Sequence, residues 1–306
     1  MPNTLVHFAA QGAVSRSLWR RADPRWIYLG CLLPDLPWIL RRAVVAFGVP
    51  VDAFDLRLYT MAQASLAGTL LLCAALALLT AAPRLVLTTL GVNALLHLLL
   101  DATEVKFGNG VHLLAPFSWR MTSFDLLAGD SAVYLTLGIT GAALLLWEIA
   151  GRERPTLRLD FGRSRLAASG ALLAAYYLAP LPFLGAVEAS DSYSVKTLRE
   201  VDSRAGRTVG LDRTAFLATP GGGRIRLWTG EQVRATGPLP AQDVTVSLYG
   251  TFLAPDVLRV DRLVEHRQDR DWPSYVALVL LGLLWARPLW PRAGKPAPAP
   301  RRTPSL

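Results

Sequence analysis

Apolar residues fall in long runs over the first two thirds of the chain, and these runs predict helices at membrane depth. "MAQASLAGTLLLCAALALLT" (61–80), "SAVYLTLGITGAALLLWEIA" (131–150) and "RLAASGALLAAYYLAPLPFLGAV" (165–187) each reach the length of about 20 apolar residues that a bilayer core requires. "RLVLTTLGVNALLHLLLD" (84–101) is similar in length but has polar residues inside it, and "PSYVALVLLGLLWARPLW" (273–290) is shorter, with Arg287 placed to snorkel. The run "WIYLGCLLPDLPWILRRAVVAF" (26–47) is interrupted by Asp35 and by Arg41-Arg42, which predicts a broken or re-entrant segment. Ahead of it, Leu5, Phe8 and Val14 in "NTLVHFAAQGAV" predict an amphipathic helix opening at an Asn3 or Thr4 cap.

After residue 187 the period changes. "DVTVSLYGTF" alternates Val244, Val246 and Leu248 at period two, "DVLRVDRLVEH" is a second β-rich run, and "TAFLATPGGGRIRLWTG" reads as a hairpin closed by glycines. The triple glycine lacks the following Lys-Ser/Thr of a phosphate loop and lies between strands, so it is a turn. The expected fold is mainly α and polytopic in a membrane, with an inserted small all-β domain of OB type outside the cytoplasm. Its parts are a helical membrane domain (1–187), a β-rich domain (188–272), a terminal membrane helix (273–290) and a disordered tail (291–306).

Composition supports the membrane reading, since 52% of the 306 residues are hydrophobic and only 18% charged. The formal net charge of +9 changes the picture little, because the arginines cluster beside apolar runs, where the positive-inside rule accounts for them without nucleic acid as a partner. Residues 151–165 and the tail are arginine-rich and predict cytoplasmic segments, which places 102–130 and 188–272 together on the other side. The side of the first 50 residues stays open. Arg16, Arg20, Arg21 and Arg25 follow the first apolar stretch instead of preceding it, so a secretory signal is not expected. Cys31 and Cys73, without CxxC spacing, are expected as packing residues.

The candidate chemistry lies in the interrupted runs. His97 and Asp101 are four residues apart and share one helix face, where both could hold one ion. An aspartate at the centre of a span costs about 2.5–3.5 kcal/mol on insertion scales, and Asp101 near a span end costs less. The bland alternative is a His-Asp hydrogen bond at a helix terminus. His7 is a second candidate, against a buried histidine bonded to a backbone carbonyl. Asp35, between Pro34 and Pro37, sits where regular helix is disfavoured and needs a partner, unless it caps the next helix. Asn93, one turn before His97, could orient its ring but is better read as an interhelical packing bond. Glu104 and Lys106 are expected as a solvated pair, His112 as a solvated loop residue, Asp125 and Asp130 as caps of the following span, and His266 as a surface residue.

The order of these residues resembles a known family. A histidine near the N-terminus, then "GCLLPD", then "HLLLD" leading through a glycine-containing loop to "LLAPFSWR", is similar to the YdjM-like membrane-bound metal-dependent hydrolases, also described as LexA-binding inner-membrane proteins. The similarity covers residues 1 to about 150. It implies that His7, Asp35, His97 and Asp101 are metal ligands, that Asp35 or Asp101 acts as the catalytic base if not a ligand, and that the protein resides in a bacterial or archaeal cytoplasmic membrane. The family's Arg-x-x-Thr-His-Ser element is only partly present: "RLYTMAQAS" keeps Arg57 and Thr60 and has no histidine, a place His112 could fill.

Two imidazoles and two carboxylates suit zinc, manganese or iron better than calcium, with zinc favoured. The expected activity is metal-assisted hydrolysis of a lipid or other amphiphilic ester or phosphoester, the bilayer itself being the first partner. The alternative is a non-catalytic membrane scaffold with a degenerate site. A transporter is disfavoured by the absence of an inverted repeat.

Overall fold

A computed structural model of the chain describes residues 3–19, 22–127, 131–151, 158–191, 194–266 and 272–289. Arg20, Arg21, Asp130, the cationic residues 152–157 and the tail 291–306 lie outside the described residues. The helices run in chain order as α1 (Thr4–Leu18), α2 (Pro24–Leu32), α3 (Leu36–Ala46), α4 (Ala53–Gln63), α5 (Leu66–Leu78), α6 (Pro83–Thr103), α7 (Ala132–Ala150), α8 (Arg163–Leu178), α9 (Leu184–Ser190), α10 (Val195–Arg199) and α11 (Trp272–Ala286). Between α10 and α11 lie the strands β1 (Thr208–Thr219), β2 (Gly222–Arg226), β3 (Gln232–Thr236), β4 (Val244–Ala254) and β5 (Val257–His266).

Among the described residues, three helical stretches are long and apolar enough to cross a membrane: Pro83–Thr103, Ala132–Ala150 and Arg163–Ser190. A fourth exists if α4 and α5 count as one span broken by 66°. That break replaces the continuous helix expected over 61–80. Ser65 leaves the helical conformation and its hydroxyl accepts from Gly68 N at 3.2 Å, while Leu66 N donates to His112 O at 3.2 Å. A serine able to cap a new helix, with a loop carbonyl waiting for the next amide, ends α4 despite the unbroken apolar composition.

Small residues set the helix contacts. A Cβ at Gly30 of α2 would meet the Leu90 carbonyl oxygen and Asn93 Cβ of α6 at 2.9 Å, and one at Gly141 of α7 would collide with the Leu5 carbonyl of α1. At these two glycines the absence of a Cβ is what lets the helix backbones approach so closely. One core joins Leu5, Phe8, Ile27, Tyr28 and Leu145 with α11, and another joins Leu33, Leu72, Leu90 and Tyr176 across α5, α6 and α8.

The five strands close into a barrel in the order β1-β2-β3-β5-β4, antiparallel except for β3 with β5. Period-two alternation is realised: Val246, Leu248 and Phe252 point inward with Phe216, Ile225 and Leu258. His266 is buried instead of exposed, because the register opposite Thr245 brings its Nε2 to 2.8 Å from Ser247 Oγ.

The barrel seats the loop that follows α6. Tyr249 Oη donates to Lys106 O at 3.1 Å, and the Tyr249 ring packs on Phe107 with centroids 4.9 Å apart. Gly108 has φ +68, and a Cβ there would lie 2.7 Å from the Gly210 carbonyl oxygen of β1, so two glycines are what let this loop touch the barrel backbone.

Candidate metal centre

Two antiparallel helices present the site. His7, Gln11 and Ser15 on α1 and Asn93, His97 and Asp101 on α6 repeat at four-residue spacing, so each triplet forms one polar stripe, and all six side chains are buried. At one end Ser15 Oγ donates to Asn93 Oδ1 at 3.0 Å, the packing role expected of Asn93. At the other, His7 Nε2 lies 3.3 Å from Asp101 Oδ1 and His97 Nε2 lies 3.8 Å from Asp101 Oδ2. The two imidazoles stack with centroids 3.9 Å apart and planes 10° from parallel.

Asp35 arrives from the turn between α2 and α3. Pro34 and Pro37 keep that turn short, a single 3-10 turn over Leu33–Asp35. The Asp35 carboxylate makes no capping bond to α3 and instead places Oδ1 3.6 Å from His97 Nε2. His7 Nε2, His97 Nε2, Asp101 Oδ1 and Asp35 Oδ1 are all shielded from solvent, and none makes a hydrogen bond of good geometry. Orphaned buried polar atoms are rare because each costs about 1–3 kcal/mol, so a cluster of them calls for a shared partner. One donor atom each from His7, His97 and Asp101 lies within 4.8 Å of the others, and this buried group could hold a metal ion.

The surroundings fix the protonation pattern. His97 Nδ1 sits 2.5 Å from the Cys31 carbonyl oxygen, which can only accept, so Nδ1 carries a proton, and in the neutral ring Nε2 then has the lone pair a ligand needs. Gln11 Nε2 lies 3.2 Å from His7 Nδ1, with Gln11 Oε1 buried and unbonded. In this amide orientation His7 Nε2 carries the proton and faces Asp101. Turning the Gln11 amide over exchanges oxygen and nitrogen with little change of shape, moves the His7 proton to Nδ1 and frees Nε2 as a ligand.

Several residues expected at the surface belong to this centre. Lys106 and Glu104 are buried, and Lys106 Nζ is 3.2 Å from Asp101 Oδ2, because the barrel pulls the loop back over the end of α6. Burial works against the Lys106 ammonium, but Asp101 and Glu104 hold it above its ordinary value. His112 is 4% exposed, packs edge-on against Trp119 at 5.9 Å, and neither ring nitrogen closes a hydrogen bond, although the Trp119 backbone lies near the ring. Asp125 does not cap α7; it accepts from Ser123 Oγ at 2.7 Å, and Ser131 precedes the helix. A cavity of about 30 Å3, room for one or two waters, is walled by Asp35, His97, Asp101, Lys106 and His112, with Trp38 and Met61 on its apolar side.

Burial pushes the His112 imidazole below its ordinary value near 6.5. Below pH 6.5 the unfolded chain takes up a proton that the folded ring refuses, so stability is retained above that pH and lost on acidification toward the depressed native value, by up to about 1.4 kcal/mol per pH unit. Unfolding followed at pH 7.5 and pH 5 should show this loss in the wild-type chain and a smaller one in His112→Phe. Equal losses in the two proteins would put the ring in water.

Compared with family models, with curated proteins and with solved structures, the chain matches none.

Proposed function

We propose that the chain is a membrane-embedded, metal-dependent hydrolase of lipids or other amphiphilic esters or phosphoesters. The observation that carries this reading is the buried group of His7, His97 and Asp101, with Asp35 next to His97, beside a small cavity. Zinc suits the donor set. His7, His97 and Asp101 would supply three ligands and leave the fourth tetrahedral position open for water, as a catalytic zinc site requires. Bound there, the ion would supply a water of lowered pKa and Lewis acidity toward a carbonyl or phosphoryl oxygen. The chain's own groups do the rest. Cys31 O orients His97, Lys106 balances the Asp101 charge, and Asp35 or His112 on the cavity wall accepts the proton of the attacking water.

The resemblance of residues 1 to about 150 to the YdjM-like family supports the same chemistry. That resemblance also suggests the cytoplasmic membrane of a bacterium or archaeon, and the arginine-rich segments favour the barrel on its outer side. One observation favours the alternative of a non-catalytic scaffold: counted from Arg57, the family's Arg-x-x-Thr-His element puts Met61 at the histidine, and Met61 is buried on the cavity wall.

Elemental analysis of the detergent-purified chain is expected to find a stoichiometric transition metal that a folded His97→Ala, Asp101→Ala double variant lacks. A wild-type chain that stays metal-free after reconstitution with zinc or manganese overturns the hydrolase reading.

A further inference from the structure

Arg41 of α3 and Arg57 of α4 meet on one indole of the barrel. The Arg57 guanidinium carbon lies 4.9 Å from the Trp228 ring centre and that of Arg41 lies 5.6 Å from it, close enough for the two charges to repel. Arg57 also lies over Trp38, at 5.7 Å. Both arginines are half-buried, and both Nε atoms are sealed from solvent without a hydrogen-bond partner. Among the described residues neither forms an ion pair. Asp191 and Asp212 attract Arg57 only from beyond ion-pair distance. Asp191 is taken up by Ser194 Oγ at 3.1 Å and Val195 N at 3.3 Å, and Asp212 by Ser247 Oγ at 2.8 Å.

A single arginine on a tryptophan is a common fastening between two packed units. Two on the same ring, repelling each other and partly desolvated, lack the anion that their planar forks are shaped to hold. The surface around them is not that of a water-facing helix. Leu40, Val45 and Phe47 are exposed along and just beyond α3, Phe47 at 86%, and Arg42 is exposed among them. Exposed apolar residues interleaved with arginine describe a helix lying at the boundary between lipid headgroups and acyl chains.

We infer that Arg41 and Arg57 form a headgroup site for an anionic phospholipid bearing a terminal phosphate, with its acyl chains along the exposed apolar residues of α3. Trp38 ties this site to the candidate metal centre, since its ring carries Arg57 and also walls the cavity that contains His97 and Asp101. As a statement about substrate, the inference rests on the hydrolase reading and narrows it to anionic phospholipids. Binding of the headgroup itself requires no metal.

The test uses the full chain in a neutral detergent, titrated separately with dioctanoyl phosphatidate, dioctanoyl phosphatidylcholine and inorganic phosphate. Phosphatidate is expected to bind at least about tenfold more tightly than phosphatidylcholine or inorganic phosphate, and Arg41→Gln to lose about tenfold, the worth of one charge-assisted contact. Arg41→Lys, which keeps the charge and loses the fork, should fall between. Arg57→Gln risks the fold because it loosens Trp38 and Trp228 together, so Arg41 carries the test. Equal binding of the two lipids, or an Arg41→Gln chain that binds like wild type, overturns the inference. Inorganic phosphate binding as tightly as phosphatidate replaces the lipid with the free anion and overturns it as well. His97→Ala separates the two readings: phosphatidate binding that persists without metal supports the headgroup site whatever becomes of the hydrolase.

Discussion

Lys106→Met should cost the metal-free chain about 3–5 kcal/mol, because it leaves the buried Asp101 carboxylate without its cation. Asp101 sits at the end of a candidate span with His7 and His97 beside it, and the neutral imidazoles that leave Nε2 free to ligate supply no net charge. Lys106 Nζ at 3.2 Å is the compensating group, and methionine keeps the unbranched apolar stem while removing the charge. In the folded chain the Lys106 ammonium is held above its ordinary value near 10.5. Its contribution is therefore fully present below that pH and lost only as pH rises through the raised value. A divalent ion would take over part of the compensation, so the loss should shrink when unfolding is followed in zinc-loaded protein. A loss of the same size with and without zinc would mean that Asp101 faces no ion.

How much of this was legible follows from which residues act through their own helix. His97 and Asp101 share a face by spacing alone, and the two prolines around Asp35 forecast its short turn. The barrel announced itself by alternation, since one face of each strand had to be apolar. What the sequence hid depends on long-range contacts. Lys106, Glu104 and His112 look like solvated loop residues until the barrel, about a hundred residues later, clamps their loop through Tyr249 and Gly210. The bend after Gln63 hides in an apolar run because Ser65 is a weak signal until the His112 carbonyl is there to receive Leu66 N. Arg41 and Arg57, sixteen residues apart by number, meet only because Trp228 stands between the helices that carry them. Polar residues inside apolar helices thus pointed to the candidate site, while the groups around it were placed by a β-domain whose alternating pattern gives no sign of them.

Gly141→Ala is the other substitution with a large expected effect, and it links packing to the candidate centre. The added Cβ would collide with the Leu5 carbonyl and approach Ala9 N at 3.1 Å, both backbone atoms of α1 that no rotamer change can move aside. Forcing that overlap apart should cost about 1–3 kcal/mol or more, even though alanine is the better helix former by about 1 kcal/mol. Gly170 and Gly282, also in apolar helices, have nothing within 4 Å of an added Cβ. Their alanine variants should be neutral or slightly stabilised, which separates the clash from helix propensity. The displaced helix is the one that carries His7 two residues beyond Leu5, so Gly141→Ala should also loosen the match between His7 and the pair on α6 and weaken metal binding. Thermal unfolding in detergent and metal content read the two effects separately. A Gly141→Ala chain as stable as Gly170→Ala would show that α1 and α7 do not touch as described, and with that contact would go the placement of His7.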